Sequence, residues 1–222
     1  MVLDMIEDIL SEIDTPKPLA SLTEEVAVST MPDISLEVTE HGQKDLFALD
    51  KRKAWDKSVE ARCDFSFHLR LTHRASVYFV TIWQKTVFGR TLTDIKNDEG
   101  MVEFFASSLA PVIKKMLGDN LQQGNWALVI TPMRRHTERN FASRFSLQLA
   151  ELLDVPFYYD CAHCRSKQRV GAVFDANNIP NEQNIIVVDD FVTTGSTLLS
   201  MRNLLTSLGK NVVFFAGVNK KM

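Results

Sequence analysis

Apolar and polar positions along the chain fall into three successive rhythms. The first is helical. In Met1–Asp14, Val2, Met5, Ile6, Ile9, Leu10 and Ile13 recur at helical spacing, with Asp4, Glu7, Asp8 and Glu12 on the other face. This predicts a short helix that either packs on the body or docks a partner protein or a second subunit of a homodimer. Residues 15–60 carry Pro16, Pro18 and Pro32 and little periodicity, which reads as irregular wrapping or linker with a strand at Ile34–Val38. The second rhythm is alternation. Phe65, Phe67, Leu69 and Leu71 interleave with Ser66, His68 and Arg70, predicting a half-buried strand, and Val77–Trp83 predicts another. His73 and Arg74 fall between them, in the expected hairpin connection. Glu99–Leu117 then returns to helical spacing through Val102, Phe105, Leu109, Val112, Ile113 and Met116, with Pro111 expected to kink or divide the helix.

After Gly118 the third rhythm sets in, of short apolar runs separated by amphipathic segments. Strands are predicted at Ala127–Ile130, Val155–Tyr159, Ile185–Val188 and Val212–Val218, and helices at Asn140–Leu153 and Thr197–Leu208. Residues 160–184 read as polar and irregular around a strand at Val170–Phe174. Strands that alternate with helices predict an α/β fold, a mainly parallel twisted sheet flanked by helices, with an N-terminal α+β extension or hood. The expected division is an acidic helix and irregular segment over 1–60, a hood-like accessory segment over 61–125 and a core over 126–222.

Composition narrows the class. At 222 residues, 45% hydrophobic and 24% charged, the chain is neither collagen, nor a coiled-coil rod, nor wholly disordered. Its net charge of −3 offers no global basic footprint for nucleic acid. That average hides an asymmetry: residues 1–60 hold 14 acidic against 6 basic side chains, hence −8, and the other 162 hold 14 against 19, hence +5. Cys63, Cys161 and Cys164 are too few, and odd in number, for a disulfide framework. Met1–Asp14 is too acidic for a secretory signal, and no apolar run approaches the roughly 18 residues that span a bilayer. The expectation is a soluble cytoplasmic protein with no membrane contact.

The chemistry concentrates in Ile185-Ile-Val-Val-Asp-Asp-Phe-Val-Thr-Thr-Gly-Ser-Thr197. Four apolar residues make a strand ending in two carboxylates, a short loop follows, and a helix begins near Thr197. Ligands of open α/β sheets bind beyond the carboxyl ends of strands, and a helix N-terminus presents free N–H groups to an anion. Gly195 permits close backbone approach, and Thr193, Thr194, Ser196 and Thr197 add hydroxyl donors. Such a loop suits a phosphate monoester. Asp189 and Asp190 repel phosphate but suit vicinal hydroxyls or a metal nearby, so the pair and the loop together describe a sugar phosphate. The order of residues is neither a Walker A loop nor a dinucleotide fingerprint.

These thirteen residues resemble the phosphoribosyl-pyrophosphate signature of type I phosphoribosyltransferases. The resemblance implies that Asp189 and Asp190 hold the ribose hydroxyls and that Thr193, Thr194, Gly195, Ser196 and Thr197 cradle the 5′-phosphate. It also implies Mg²⁺, held mainly through the substrate with Asp189 and Asp190 as candidate ligands. Relatives acting on 6-oxopurines often carry an acid where this chain has Thr193, which argues against hypoxanthine–guanine salvage. The acceptor pocket would come from residues before 126.

Two further stretches bear basic side chains. Arg134, Arg135, His136 and Arg139 follow the strand Ala127–Ile130, where an arginine fork suits a pyrophosphate leaving group, although a solvated basic turn would look the same. Thr131–Ala142 and Arg169–Phe174 resemble the ComF-like branch of the family, over about residues 126–219. The cysteine-rich zinc ribbon that often begins that branch is missing. Arg165, Lys167 and Arg169 stand where the family has a flexible catalytic loop. Cys161-Ala-His-Cys164 supplies three of the four ligands a structural zinc site needs; otherwise these are loop residues or a reactive thiol. His41, His68 and His73 read as structural or solvated.

The resemblance implies a Mg²⁺-dependent transfer of ribose 5-phosphate from phosphoribosyl pyrophosphate to a nitrogen acceptor, with Arg134 and Arg135 stabilising the leaving group. The alternatives are a non-catalytic module that senses a phosphorylated sugar or nucleotide through the same residues and, less favoured, a nucleic-acid binder using the basic face.

Overall fold

Ile185–Val188 has no polar face, so a strand built from it must be covered on both sides. All four residues are completely buried, and the architecture follows from how that is done. The computed structural model describes residues 61–132, 140–164 and 173–220. In chain order these form β1 (Arg62–Cys63), β2 (Arg70–Arg74), β3 (Val77–Gln84), β4 (Arg90–Thr91), α1 (Leu92–Asn97), α2 (Gly100–Leu117), α3 (Asn120–Gln123), β5 (Trp126–Ile130), α4 (Phe141–Leu153), β6 (Phe157–Tyr158), β7 (Ala162–Cys164), β8 (Phe174–Ala176), β9 (Asn184–Val192), α5 (Ser196–Ser207) and β10 (Asn211–Asn219). The helix expected at Met1–Asp14 and the strand at Ile34–Val38 lie outside the described residues, as do residues 170–172 of the strand expected at Val170–Phe174.

Six strands form one sheet in the order β2-β3-β10-β9-β5-β6. Every neighbouring pair is parallel except β2 with β3. Helices cover both faces. Ile186, Val188, Leu128, Phe215, Val80 and Ile82 face α2 and α4 through Phe105, Leu109, Ile113, Phe145 and Leu149. Ile185, Val187, Ala127, Val129, Phe214 and Ala216 face Leu198, Met201 and Leu205 of α5. The fold is therefore α/β, a mainly parallel sheet flanked by helices. Among the described residues no helix is long and apolar enough to cross a membrane.

The described chain before residue 125 contributes β2 and β3 to this sheet, and β3 lies along β10 with Phe215 opposite Val80 and Asn219 opposite Gln84. β2 returns antiparallel to β3 through Ala75 and Ser76, both at positive φ (+49° and +62°). That is the geometry of a two-residue turn matched to strand twist, usually occupied by Asn or Gly.

Several expectations shift in detail. The alternation at Phe65–Leu71 does not form a strand until Arg70. Phe65 takes a positive φ (+56°) and the Ser66 N–H closes back on the Asp64 carboxylate at 2.9 Å, which interrupts any ladder. His73 and Arg74 are the last residues of β2 rather than the connection. Pro111 does not divide α2; it sits on the exposed side, where the carbonyl it leaves without a helical N–H donor can turn to water. Residues 160–184 are not wholly irregular, since β7 and β8 pair as an antiparallel ribbon. β9 runs four residues past Val188, so the carboxylates lie within the strand rather than beyond it.

Gly217 of β10 marks the tightest approach of helix to sheet. An added Cβ would stand 2.5 Å from Cε1 of Phe105 and 3.0 Å from the Asp190 carbonyl oxygen. The Phe105 ring cannot retreat, because Trp83, Phe141, Phe145 and Phe191 surround it at centroid distances of 4.7–6.2 Å. Gly217→Ala is therefore expected to destabilise the fold by about 1–3 kcal/mol, as overpacked core sites do, measured as a lower urea midpoint.

Candidate functional site

In a parallel sheet the carboxyl ends of the strands open onto one edge. Here β3, β10, β9 and β5 are followed at once by Lys85, Lys220, Thr193 and Thr131. At their centre β9 carries Asp189 and Asp190. The Asp190 N–H donates to Asp189 Oδ1 at 3.0 Å, and the Phe191 N–H donates to Asp190 Oδ1 at 2.8 Å. Asp190 is 9% exposed, and its second oxygen is 2.6 Å from Nζ of Lys96 on α1. Among the described residues Asp189 has no cation within ion-pair distance. Burial first, and then the neighbouring Asp190 charge, hold its carboxyl well above the usual carboxylate range; a hydrogen bond from the Thr131 side chain opposes this. Thr131 is itself buried and tied to β9 by its N–H on the Val188 carbonyl at 3.2 Å.

The loop Thr193–Gly195 follows directly. Gly195 has φ +78° and begins α5 with no side-chain cap. The Ser196 N–H donates to Thr194 Oγ1 at 3.4 Å, and the N–H groups of Thr197 and Leu198 that follow are left for another acceptor, at the positive end of a twelve-residue helix. Thr194 Oγ1 and Ser196 Oγ lie 2.9 Å apart at this mouth. The β2–β3 turn backs the loop. A Cβ on Gly195 would meet the Arg74 carbonyl oxygen at 3.3 Å. The Arg74 guanidinium donates to the Thr193 carbonyl at 2.6 Å and to Asn219 Oδ1 at 2.8 Å. A planar trans peptide points its C=O and N–H in opposite directions. Holding the Thr193 carbonyl on Arg74 therefore turns the Thr194 N–H away from Arg74.

Of the site residues read from sequence, Asp189, Asp190, Thr193, Thr194, Gly195, Ser196 and Thr197 come together as one strand, loop and helix start. Arg134 and Arg135 lie outside the described residues, in the stretch that follows Pro132 in the sequence. Arg165, Lys167 and Arg169 also lie outside them, between β7 and β8. Sequence reasoning missed Thr131, Lys96, Lys85, Lys220 and Arg74. A signal existed for Thr131, Lys85 and Lys220, each the first residue after a parallel strand. None existed for Arg74, 119 residues from its partner Thr193.

The pair can serve a divalent cation only in part. Among the described residues no three His, Cys, Asp or Glu side chains converge on a metal position. Two adjacent carboxylates of hard oxygen suit Mg²⁺, which keeps its waters and completes its shell from substrate oxygens. The Cys161–Cys164 stretch is different. Cys161 is buried against the α5 side of the sheet and burial pushes its thiol up to about 11, so it is not a reactive thiolate. His163 is exposed on β7 and faces Asp175 at 3.9 Å.

No family model matches the chain, and no curated protein matches it. Solved structures similar to it include an adenine phosphoribosyl transferase from Trypanosoma brucei in complex with AMP, pyrophosphate and ribose-5-phosphate, at 14% identity, covering 76% of this chain and 79% of that one, with a TM-score of 0.41. An orotate phosphoribosyltransferase from Aeropyrum pernix has 16% identity over 75% of this chain and 80% of that one, at 0.40. A hypoxanthine phosphoribosyltransferase from Staphylococcus aureus has 16% identity over 60% and 73%, at 0.41.

A carboxyl whose pKa is raised by folding keeps its proton in the native state over a window in which the unfolded chain has already lost it. Stability then falls as pH rises from about 4 through the raised value. Asp189→Asn removes this slope. The variant is expected to melt a few degrees above the parent at neutral pH, at about 2–4 °C per kcal/mol for a chain this size, and the two melting curves should converge below about pH 4. A wild-type-like pH profile in the variant would assign the slope to another group.

Proposed function

We propose that this chain is a phosphoribosyltransferase, moving ribose 5-phosphate from phosphoribosyl pyrophosphate to a nitrogen acceptor. The observation that carries the reading is the continuity of β9, loop and α5: two carboxylates on the last turns of a buried strand, then an uncapped helix start behind a positive-φ glycine. Hydroxyl-binding and phosphate-binding groups follow one another over nine residues, in the order in which a ribose 5-phosphate carries its hydroxyls and its phosphate.

In this reading the 5′-phosphate accepts hydrogen bonds from the N–H and hydroxyl groups of Thr193 to Thr197. Asp190 accepts from one ribose hydroxyl and Asp189 meets the neighbouring one. The bond from C1 to the pyrophosphate oxygen breaks with both electrons leaving on pyrophosphate. The acceptor nitrogen's lone pair forms the new bond to C1, and the nitrogen's proton passes to water. The Asp190 carboxylate stabilises the positive charge that develops on the ribose ring, and Arg134 and Arg135 neutralise the charge growing on the leaving group. Arg165, Lys167 and Arg169 are further cations for the same leaving group. Asp189 and Asp190, together with donor oxygens, would hold Mg²⁺, which when bound would supply charge neutralisation for the leaving group.

The test is pyrophosphate release from phosphoribosyl pyrophosphate and Mg²⁺ across a panel of nitrogen acceptors. Release is expected with the wild type, and a loss of about 100-fold or more with Asp189→Asn and Asp190→Asn combined. Donor binding without release from any acceptor would replace transfer by sensing. No donor binding would overturn the proposal.

A further inference from the structure

The donor leaves one flank of the acidic pair unexplained. β9 has β5 on one side and β10, then β3, on the other. In the reading above the 5′-phosphate sits on the loop after β9, and pyrophosphate leaves toward the segment after β5. The opposite flank holds three ammonium groups from three elements. Lys85 follows β3 and Lys220 follows β10; their backbones are fixed by N–H bonds to the carbonyls of Asn219 and Val192, both at 2.8 Å. Lys96 comes across from α1, whose Leu92 and Ile95 are buried in the core and so fix that helix over the sheet edge.

Lys96 and Lys220 share one aromatic ring. Their Nζ atoms lie 4.8 and 5.8 Å from the centroid of Phe191, the residue that follows the acidic pair. Charge does not balance here. Three ammonium groups face two carboxylates, an excess of one positive charge, and Lys96 is paired with Asp190. Lys85 and Lys220 have no carboxylate within ion-pair distance among the described residues. Half-burial and then the ammonium of Lys96 pull Lys220 below the usual lysine range, outweighing the opposing charges of Asp190 and Asp189.

We infer that this flank receives the acceptor, and that the acceptor is a nitrogen nucleophile bearing a carboxylate, held between Lys96 and Lys220 beside the Phe191 ring. The inference rests on the transferase reading. A carboxylate fits better than a phosphate, because one negative charge suffices for the excess and a dianion would also face Asp190. Lys96 further sets an order. Before the donor arrives it is bonded to Asp190; when a ribose hydroxyl takes that oxygen, Lys96 is released toward the acceptor. Donor and acceptor therefore bind cooperatively, and by linkage each strengthens the other equally.

The experiment compares matched acid and neutral probes by calorimetric titration: pyridine-3-carboxylate against pyridine-3-carboxamide, and uracil-6-carboxylate against uracil. Each is titrated into the full chain with and without saturating ribose 5-phosphate. The acid of at least one pair is expected to bind about tenfold or more tightly than its neutral partner, and more tightly once ribose 5-phosphate is present. Lys220→Met should erase the preference and Lys220→Arg should keep it. Equal affinities, no binding of either acid, or a preference that survives Lys220→Met would each overturn the inference. A parallel titration with phosphoribosyl pyrophosphate separates the two failures. If the donor binds while the acid preference is absent, only the acceptor class falls; if the donor does not bind, the transferase reading falls with it.

Discussion

Two carboxylates on adjacent residues of a buried strand repel one another. Charges about 4 Å apart interact at roughly 4 kcal/mol in a protein-like dielectric. Much of the sheet edge around Asp189 and Asp190 is an answer to that repulsion. The backbone N–H groups of Asp190 and Phe191 are turned onto the carboxylates, Thr131 gives Asp189 a hydroxyl, and Lys96 gives Asp190 an ammonium. The two acids end up unlike each other. Asp190 has a cation, and Asp189, without one, is driven toward its protonated form. A pair differentiated this way can accept a hydrogen bond at one position and share a proton at the other, which two equivalent carboxylates could not.

The answer draws on distant parts of the chain, and so couples the edge to the whole sheet. Thr131 arrives because β5 pairs with β9 from Trp126 opposite Asn184 to Ile130 opposite Val188. Lys96 arrives because α1 sinks Leu92 and Ile95 into the cluster shared with α2 and α4. Arg74 reaches the phosphate loop because β3 lies parallel to β10 and β2 turns back at Ala75–Ser76. That turn places two non-glycine residues at positive φ, a cost of order 1–3 kcal/mol each that surrounding contacts sustain. Arg202 of α5 donates to the Ser76 carbonyl from the other side. The turn is thus held between the phosphate loop and the helix that follows it.

Periodicity was a sound guide where a segment's own neighbours cover it. The alternation of Val77–Trp83 and the helical spacing of Asn140–Leu153 each became the expected element, because one face of each meets the core along its length. It misled where a single local bond outweighed the pattern. Phe65 and Phe67 alternate with polar residues, yet the Asp64 carboxylate captures Ser66 and turns the chain before pairing can start. Pro111 looked like a helix breaker, but on the solvent side of α2 its missing N–H costs little. The thirteen residues from Ile185 to Thr197 were legible because strand, loop and helix start are contiguous and every part of their geometry is local.

The sequence by itself determined the layered α/β class, the acidic pair and the glycine-bearing loop Thr193–Gly195, since each follows from apolar spacing, residue type and backbone freedom over a dozen residues. Only the tertiary structure decided what surrounds them. Strand order is set by which surfaces are buried together, and that order brings Arg74 to a loop 119 residues away and Lys85, Lys96 and Lys220 to one flank of one carboxylate pair. A lysine in isolation reads as solvated surface. Its charge acquires meaning only when folding fixes which carboxylate it meets, which ring it shares and how far water is kept from all three.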